Sequence, residues 1–419
     1  MRPRSGIGVV LLGCLAIASE EPASAAPPAE GFGVRNEVLD RPHPGLDPIG
    51  IRVAGWTLIP SLTVSIGDND NVFASDVVRR KSAEVTLAPT LMLQSNWSVH
   101  EADIIASGVF QRDTHAPQAD FDQYGVAAHG RLDVAATAAV DVAARYMHGV
   151  EPKGSPGDVY VAGDPSTYQT YGASTMGAVS LGRLALAAGV DLDQYRYNPV
   201  RVGDVAVSQI YRDRTSLSAT GRAGLAIGPS LTGYAQIFYD RLDYRVRVPG
   251  EAMDSSGWRV LGGADFELTK LISARAGIGY IRRNYANTAF RPVSGFNYSG
   301  AVLWNVTTLV TLTFGADRSI VESPQVGVSG VLRDHGDAGV DYEILRRLIA
   351  TARVDYYHEH YRGLDRIDDR AEVNLGFRYL ANRFAELGLK YRHLGQNGHG
   401  LFGRSYSGNV VAFSVTIQK

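Results

Sequence analysis

Alternation with a period of two, held over segments of roughly nine or more residues from Gly55 nearly to the end of the chain, is what most constrains this sequence. Successive side chains of a strand point to opposite faces, so each such segment carries one apolar face and one polar or small face. Val140, Val142, Ala144 and Tyr146 alternate with Asp141, Ala143, Arg145 and Met147. Leu184, Leu186, Ala188, Val190 and Leu192 alternate with Ala185, Ala187, Gly189, Asp191 and Asp193. The last segment sets Val411, Phe413, Val415 and Ile417 against Ala412, Ser414, Thr416 and Gln418. A soluble sandwich also alternates, but its strands average about five or six residues, whereas a tilted transmembrane strand needs about 9–11. Segment length therefore favours strands that cross a membrane.

Such segments number about 18, within a range of 16 to 20, because the parity is ambiguous around residues 102–111 and 231–240. Their connections alternate in length. Short ones fall near Asp133–Ala135, Gly182-Arg183, Gly228-Pro229, Thr269-Lys270, Asn305–Thr307, Arg346-Arg347 and Ala381-Asn382. Longer ones cover roughly Gly67–Ser82, Arg112–Phe121, Glu151–Thr167, Arg196–Ser208, Arg245–Ser256, Arg282–Gly295 and Gly395–Tyr406. Outer-membrane barrels join strands by short periplasmic turns and longer outer loops, with an even strand count. The expectation is one all-β, antiparallel transmembrane barrel of about 18 strands over residues 55–419, with both termini periplasmic.

Composition excludes other classes. A mean hydropathy of −0.08, and no run of eighteen apolar residues past the N-terminus, exclude a helical membrane protein. A formal net charge of −2 argues against a nucleic-acid partner. Aromatic and β-branched residues throughout exclude disorder.

Residues 1–25 read as a targeting signal: Arg2 and Arg4 start it, Gly6–Ser19 form a short apolar stretch, and Ala23-Ser24-Ala25 supplies a small-residue cleavage pattern. Leu11-Leu12-Gly13-Cys14 resembles a lipidation box, but the later site is better placed, and removal of the signal discards the one cysteine. Residues 26–54 are rich in Pro, Gly and charge and read as an extended periplasmic lead-in.

No catalytic residue set emerges. His358-Glu359-His360 places two imidazoles on one side of a strand, without a third ligand or the H-E-x-x-H spacing. Asp68, Asp70 and Asn71 lack the Gly and distal Glu of a calcium loop, and turn chemistry accounts for them. No cofactor or resident metal is expected.

The more informative set is the polar face, which in a barrel lines the lumen: Asp141, Arg145, Asp191, Asp193, Arg222, Asp265, Glu267, Arg275, Asp317, Asp341, Glu343, Arg353, Asp355, Glu372, Arg378, Glu386, Lys390 and Arg392. Charges of both signs interleave. Such groups are tolerable only when paired or hydrated, so they form a stiffening ladder of salt bridges, a wet polar track, or both. Trp56, Trp97 and Trp304 fall at inferred periplasmic strand ends and Trp258 at an outer end, the positions of interfacial aromatic girdles.

Short landmarks add a resemblance over about residues 50–419. They are Gly55-Trp56-Thr57-Leu58-Ile59-Pro60-Ser61-Leu62 with Asp68-Asn69-Asp70-Asn71-Val72-Phe73, then Ala88-Pro89 with Ser95-Asn96-Trp97-Ser98. Glu151–Pro156, Arg318–Ser323, Asp341-Tyr342-Glu343-Ile344 and Arg366-Ile367-Asp368 follow. The pattern resembles the β-barrel porins of Gram-negative outer membranes that often accompany exopolysaccharide export systems. A departure is the C-terminus, which ends Ile417-Gln418-Lys419 rather than on the aromatic residue common in such barrels.

The resemblance implies an outer-membrane passage for secreted exopolysaccharide. Its implied partners are outer-membrane lipid, the barrel assembly machinery, periplasmic polysaccharide-export proteins and the exported polymer. The alternative is a general or solute-selective diffusion porin, and a barrel enzyme is the third reading.

Overall fold

The computed structural model describes residues 37–160, 163–246, 253–269 and 271–419. The expected signal segment, Cys14 included, lies outside the described residues. Eighteen long antiparallel strands form one closed barrel. In chain order they are β1 (Trp56–Asn69), β2 (Ser82–Ser95), β3 (Glu101–Asp113), β4 (Phe121–Ala135), β5 (Ala138–Val150), β6 (Thr167–Leu181), β7 (Leu184–Tyr197), β8 (Arg214–Gly228) and β9 (Leu231–Tyr244). They continue as β10 (Ser255–Thr269), β11 (Ile272–Tyr285), β12 (Val293–Asn305), β13 (Val310–Val321), β14 (Gly330–Leu345), β15 (Leu348–Arg362), β16 (Arg366–Asn382), β17 (Ala385–Gly400) and β18 (Tyr406–Gln418). Each pairs with its neighbours in sequence, and β1 pairs with β18 from Ser61↔Gln418 to Asn69↔Val410, which closes the sheet and leaves no long free edge.

Pro60 sits where that closure ends. It lacks an N–H, and its carbonyl accepts the Lys419 backbone N–H at 3.1 Å. Below it, the short strand Ile51–Val53 folds back on β1, pairing Ile51 with Leu58 and Val53 with Trp56, and takes the edge that β18 does not reach. The C-terminal strand thus runs to Gln418 without a terminal aromatic, and Phe413 lies exposed on the outer face.

The two rims differ. One carries two-residue turns such as 182–183, 229–230 and 346–347, and both ends of the barrel sheet lie there. The other carries the loops 70–81, 114–120, 151–166, 198–213, 286–292 and 322–329. Two connections on this wide rim are shorter than the rest, at 363–365 and 401–405. Residues 395–400, expected in a loop, continue β17 instead, because this polar run pairs with Arg366–Ala371 of β16 above the apolar band and needs no apolar face.

Apolar side chains coat the outside. Leu62, Val64, Leu186, Ile237, Ile278 and Phe377 are exposed there, as a lipid-facing wall requires. The near-zero mean hydropathy averages this coat with a polar interior. The ambiguous parity over 231–240 has a physical reason: Tyr234 and Phe238 face inward but serve as platforms for guanidinium groups, so both faces of β9 look apolar. Over 102–111, Ile105 faces inward opposite Ile104, with Asp103 and Ser107 fixing the register. No helix among the described residues is long and apolar enough to cross a membrane.

The stretch read as an extended lead-in differs from that expectation over residues 37–47. It makes a 3-10 turn at Val38–Asp40 and enters the narrow-rim end of the barrel, where Val38 and Leu46 pack on Ile349 and Leu380. Its Pro and Gly residues carry no period because the contacts come from isolated side chains.

Candidate functional site

Pairing parity puts all eighteen expected charged residues on the side of their strands opposite the apolar coat. Most are linked across strands. Arg145 of β5 spans β6, donating to Asp191 Oδ1 at 2.8 Å and Asp193 Oδ2 at 2.5 Å; Gly172 of β6 leaves the space it crosses. Arg222 and Arg275, from β8 and β11, converge on Asp265 of β10 at 2.6 Å each. The Arg222 guanidinium lies 3.9 Å from the Tyr234 ring centre. Arg353 donates to both oxygens of Asp341 at 2.7 and 2.8 Å. Arg392 reaches Glu372 at 2.8 Å, and Arg378 stands 3.7 Å from Glu386. Among the described residues, Glu267 and Lys390 make no ion pair.

Two histidines bridge carboxylates in the same way at different places on the wall. His129 of β4 lies 3.1 Å from Asp103 of β3 and 3.1 Å from Asp141 of β5. His335 of β14 lies 3.2 Å from Asp317 of β13 and 3.4 Å from Asp355 of β15, and stacks on Tyr357 at 4.5 Å. These groups are wet: side-chain exposure is 37% at His129, 35% at Asp191 and 44% at Asp317. Interior side chains at mid-height therefore border water rather than a packed core. The outward parity of Leu132 and Val126 already places His129 and Arg131 inside, so the sequence signal for them was present.

Nearer the wide rim the interior is covered. Arg333 donates to Glu359, which is fully buried, at 2.7 Å, and Arg366 pairs with Asp368 at 2.5 Å while lying 4.0 Å from the Tyr361 ring centre. Thus Glu359 of the His-Glu-His run faces inward, whereas His358 faces outward, 2.8 Å from Asp369.

The loop 151–166 supplies much of that cover. Arg212 of the loop 198–213 donates to Glu151 Oε2 and Gln209 Oε1 at 2.9 Å each, with its guanidinium 4.0 Å from the Tyr197 ring centre. Lys153 donates to the carbonyls of Tyr160 at 3.0 Å and Gly163 at 2.9 Å. Burial pushes the Lys153 ammonium below its ordinary pKa, against the opposing pull of Asp158. Asp158 also meets Arg404 at 3.3 Å, and the Tyr406 hydroxyl donates to the Gly154 carbonyl at 3.1 Å. Gly154 has φ +83°, and a side chain there would strike Tyr406. No periodicity announces these tertiary contacts.

The Asp68–Asn71 turn closes on the same rim. Asp68 pairs with Lys81 at 2.8 Å, and Asp70 accepts from Arg79 at 3.1 Å and from the Asn409 backbone and side chain at 2.8 Å each. Burial raises the Asp70 pKa, but these donors more than offset it and hold the carboxyl below its ordinary value.

Aromatic residues flank the apolar coat. Trp56 and Trp97 meet edge to face at 5.2 Å at the narrow rim, where Trp304 is also exposed. Trp258 sits toward the other end beside Tyr280, at 5.7 Å.

An apolar coat, a closed sheet of eighteen strands and a wet charged interior define a porin-type barrel of the outer membrane. The family described as "Putative beta-barrel porin 2" matches residues 43–419, and the chain belongs to it. No curated protein matches. Among solved structures, OpdL of Pseudomonas aeruginosa is similar at 15% identity and a TM-score of 0.44, covering 87% of this chain and 99% of its own. OpdQ of the same organism is 13% identical with a TM-score of 0.47, over 87% and 98%. OpdK with vanillate is 12% identical with a TM-score of 0.45, over 86% and 99%.

Proposed function

We propose that this porin is a solute-selective diffusion channel for small hydrophilic solutes. The observation that carries the reading is the exposure of Arg145, Asp191, His129 and Asp317 at mid-height, in a barrel wide enough to hold water. Charges of both signs, fixed on neighbouring strands, let a small polar solute exchange its hydration for wall contacts at each level without a deep trap. Ion pairing of the same residues stiffens the wall, so the structural and the solvating roles coincide. The narrow turns face the periplasm and the loops face outward, with Trp56, Trp97, Trp304 and Trp258 at the two lipid interfaces.

Passage of a secreted polysaccharide has weaker support. It rests on the resemblance alone, and loop 151–166 is pinned over the mouth by the Glu151–Arg212 and Asp158–Arg404 pairs, where a polymer needs a wide exit. Periplasmic export proteins as partners belong to that reading; lipid and the assembly machinery belong to both. Catalysis forms no part of the proposal. Liposome swelling tests it: folded protein is expected to admit small sugars and amino acids. An intact solute barrier, together with loss of surface polysaccharide on gene deletion, would favour export instead.

A further inference from the structure

Among the inward side chains close to the narrow rim, Ile349 of β15 and Leu380 of β16 are apolar, although Glu343 and Arg378 flank Ile349 on the neighbouring strands. Both face inward, and both are buried by one segment of this same chain. Val38 is fully buried against them, with Leu46 beside it. Polar ties fix the segment on either side. The Val38 backbone N–H donates to Thr311 Oγ1 at 3.1 Å, and that hydroxyl donates to Asn305 Oδ1 at 2.8 Å. Arg346, in the turn between β14 and β15, donates to the Pro44 carbonyl at 3.1 Å, and His43 stands 3.9 Å from Glu343 of β14. Pro42, Pro44 and Pro48 limit the backbone of residues 42–48, so the segment holds its shape at low entropic cost.

We propose that residues 37–47 are a specificity-setting constriction inside the narrow-rim mouth of the channel. The segment lies across five adjacent strands, β12 to β16, and takes up cross-section that the eighteen-strand wall would leave open. An apolar pair set beside Glu343 and Arg378 is what such a docked segment requires, since exposed to pore water Ile349 and Leu380 would lose their burial. Solutes that clear the wide mouth then meet a second, narrower opening that includes the half-exposed side chain of Arg41. The inference rests on the diffusion-channel reading.

Two variants test it in planar bilayers: one lacking residues 27–47, and Val38→Asp/Leu46→Asp, which releases the segment without shortening the chain. Conductance should rise in both by roughly a quarter or more, the share of the mouth's perimeter that five of eighteen strands span. Larger sugars should also enter liposomes. In parallel, a Val38→Cys/Thr311→Cys pair should oxidise to a disulfide in the folded barrel, a readout that does not depend on conduction. Unchanged conductance in conducting variants, or a pair that stays reduced, overturns the constriction and leaves the channel intact. Silence of full-length and released forms alike overturns the channel reading, and the constriction with it.

Discussion

Arg404 and Asp158 lie 246 positions apart in the chain, yet the Arg404 guanidinium stands 3.3 Å from the Asp158 carboxylate at the wide mouth. The contact joins the connection 401–405 to loop 151–166, and Lys153 shares the same carboxylate at 3.4 Å. Asp158 is buried, so its charge is held by these two cations rather than by water.

Asp158→Ala should therefore release the loop. Two partly buried cations lose their carboxylate at a local cost of about 1–3 kcal/mol. Protease nicking within residues 151–166 should speed up and channel conductance should rise, while the barrel's heat-resistant gel mobility holds. Unaltered nicking would mean that the loop is pinned by other contacts.

Deeper in the channel, Arg222 and Arg275 share Asp265. Asp265→Asn leaves two guanidinium groups facing each other across one amide. Because the cluster is partly hydrated, the expected loss is about 1–3 kcal/mol, below the cost of breaking a dry pair. Urea midpoints read by gel mobility check this, and Arg222→Gln/Asp265→Asn should recover part of the loss.

Arg259 carries inward charge without an ion-pair partner among the described residues; its guanidinium lies 5.1 Å from the Phe238 ring centre. Arg259→Glu should shift the reversal potential under a salt gradient toward cation preference, with fold stability nearly unchanged. A reversal potential identical to that of the parent would place Arg259 outside the conduction path.

Acid should loosen the turn at Asp70. Its folded pKa lies below 3.8, so its stabilising contribution is complete above that value and is lost as the pH falls through the folded pKa. Protection of the Asn409 amide, which donates to Asp70 at 2.8 Å, should fall below pH 3.8 relative to its intrinsic exchange rate. In Asp70→Asn that acid step should vanish.

Strand parity made most of the wall legible. Asp141, Asp191, Asp265 and Arg353 could be assigned a face because Val142, Val190, Ala264 and Val354 beside them mark the other. Parity loses its contrast where the interior itself becomes aromatic, as at Tyr234 and Phe238, whose rings sit against Arg222 and Arg259. It is also silent at both mouths. Glu151 and Arg212, or Val38 and Ile349, meet through tertiary geometry that no local period encodes. The partners of Asp158 are set by loop closure, and residues 37–47 take their place from contacts with side chains on separate strands.

Single-channel recording of the purified, folded protein in a planar bilayer tests the central claim most directly. A water-filled barrel with charged walls should produce discrete conductance steps without any partner protein, and these should grow when residues 27–47 are removed. A folded barrel that passes no current in either form would contradict the account.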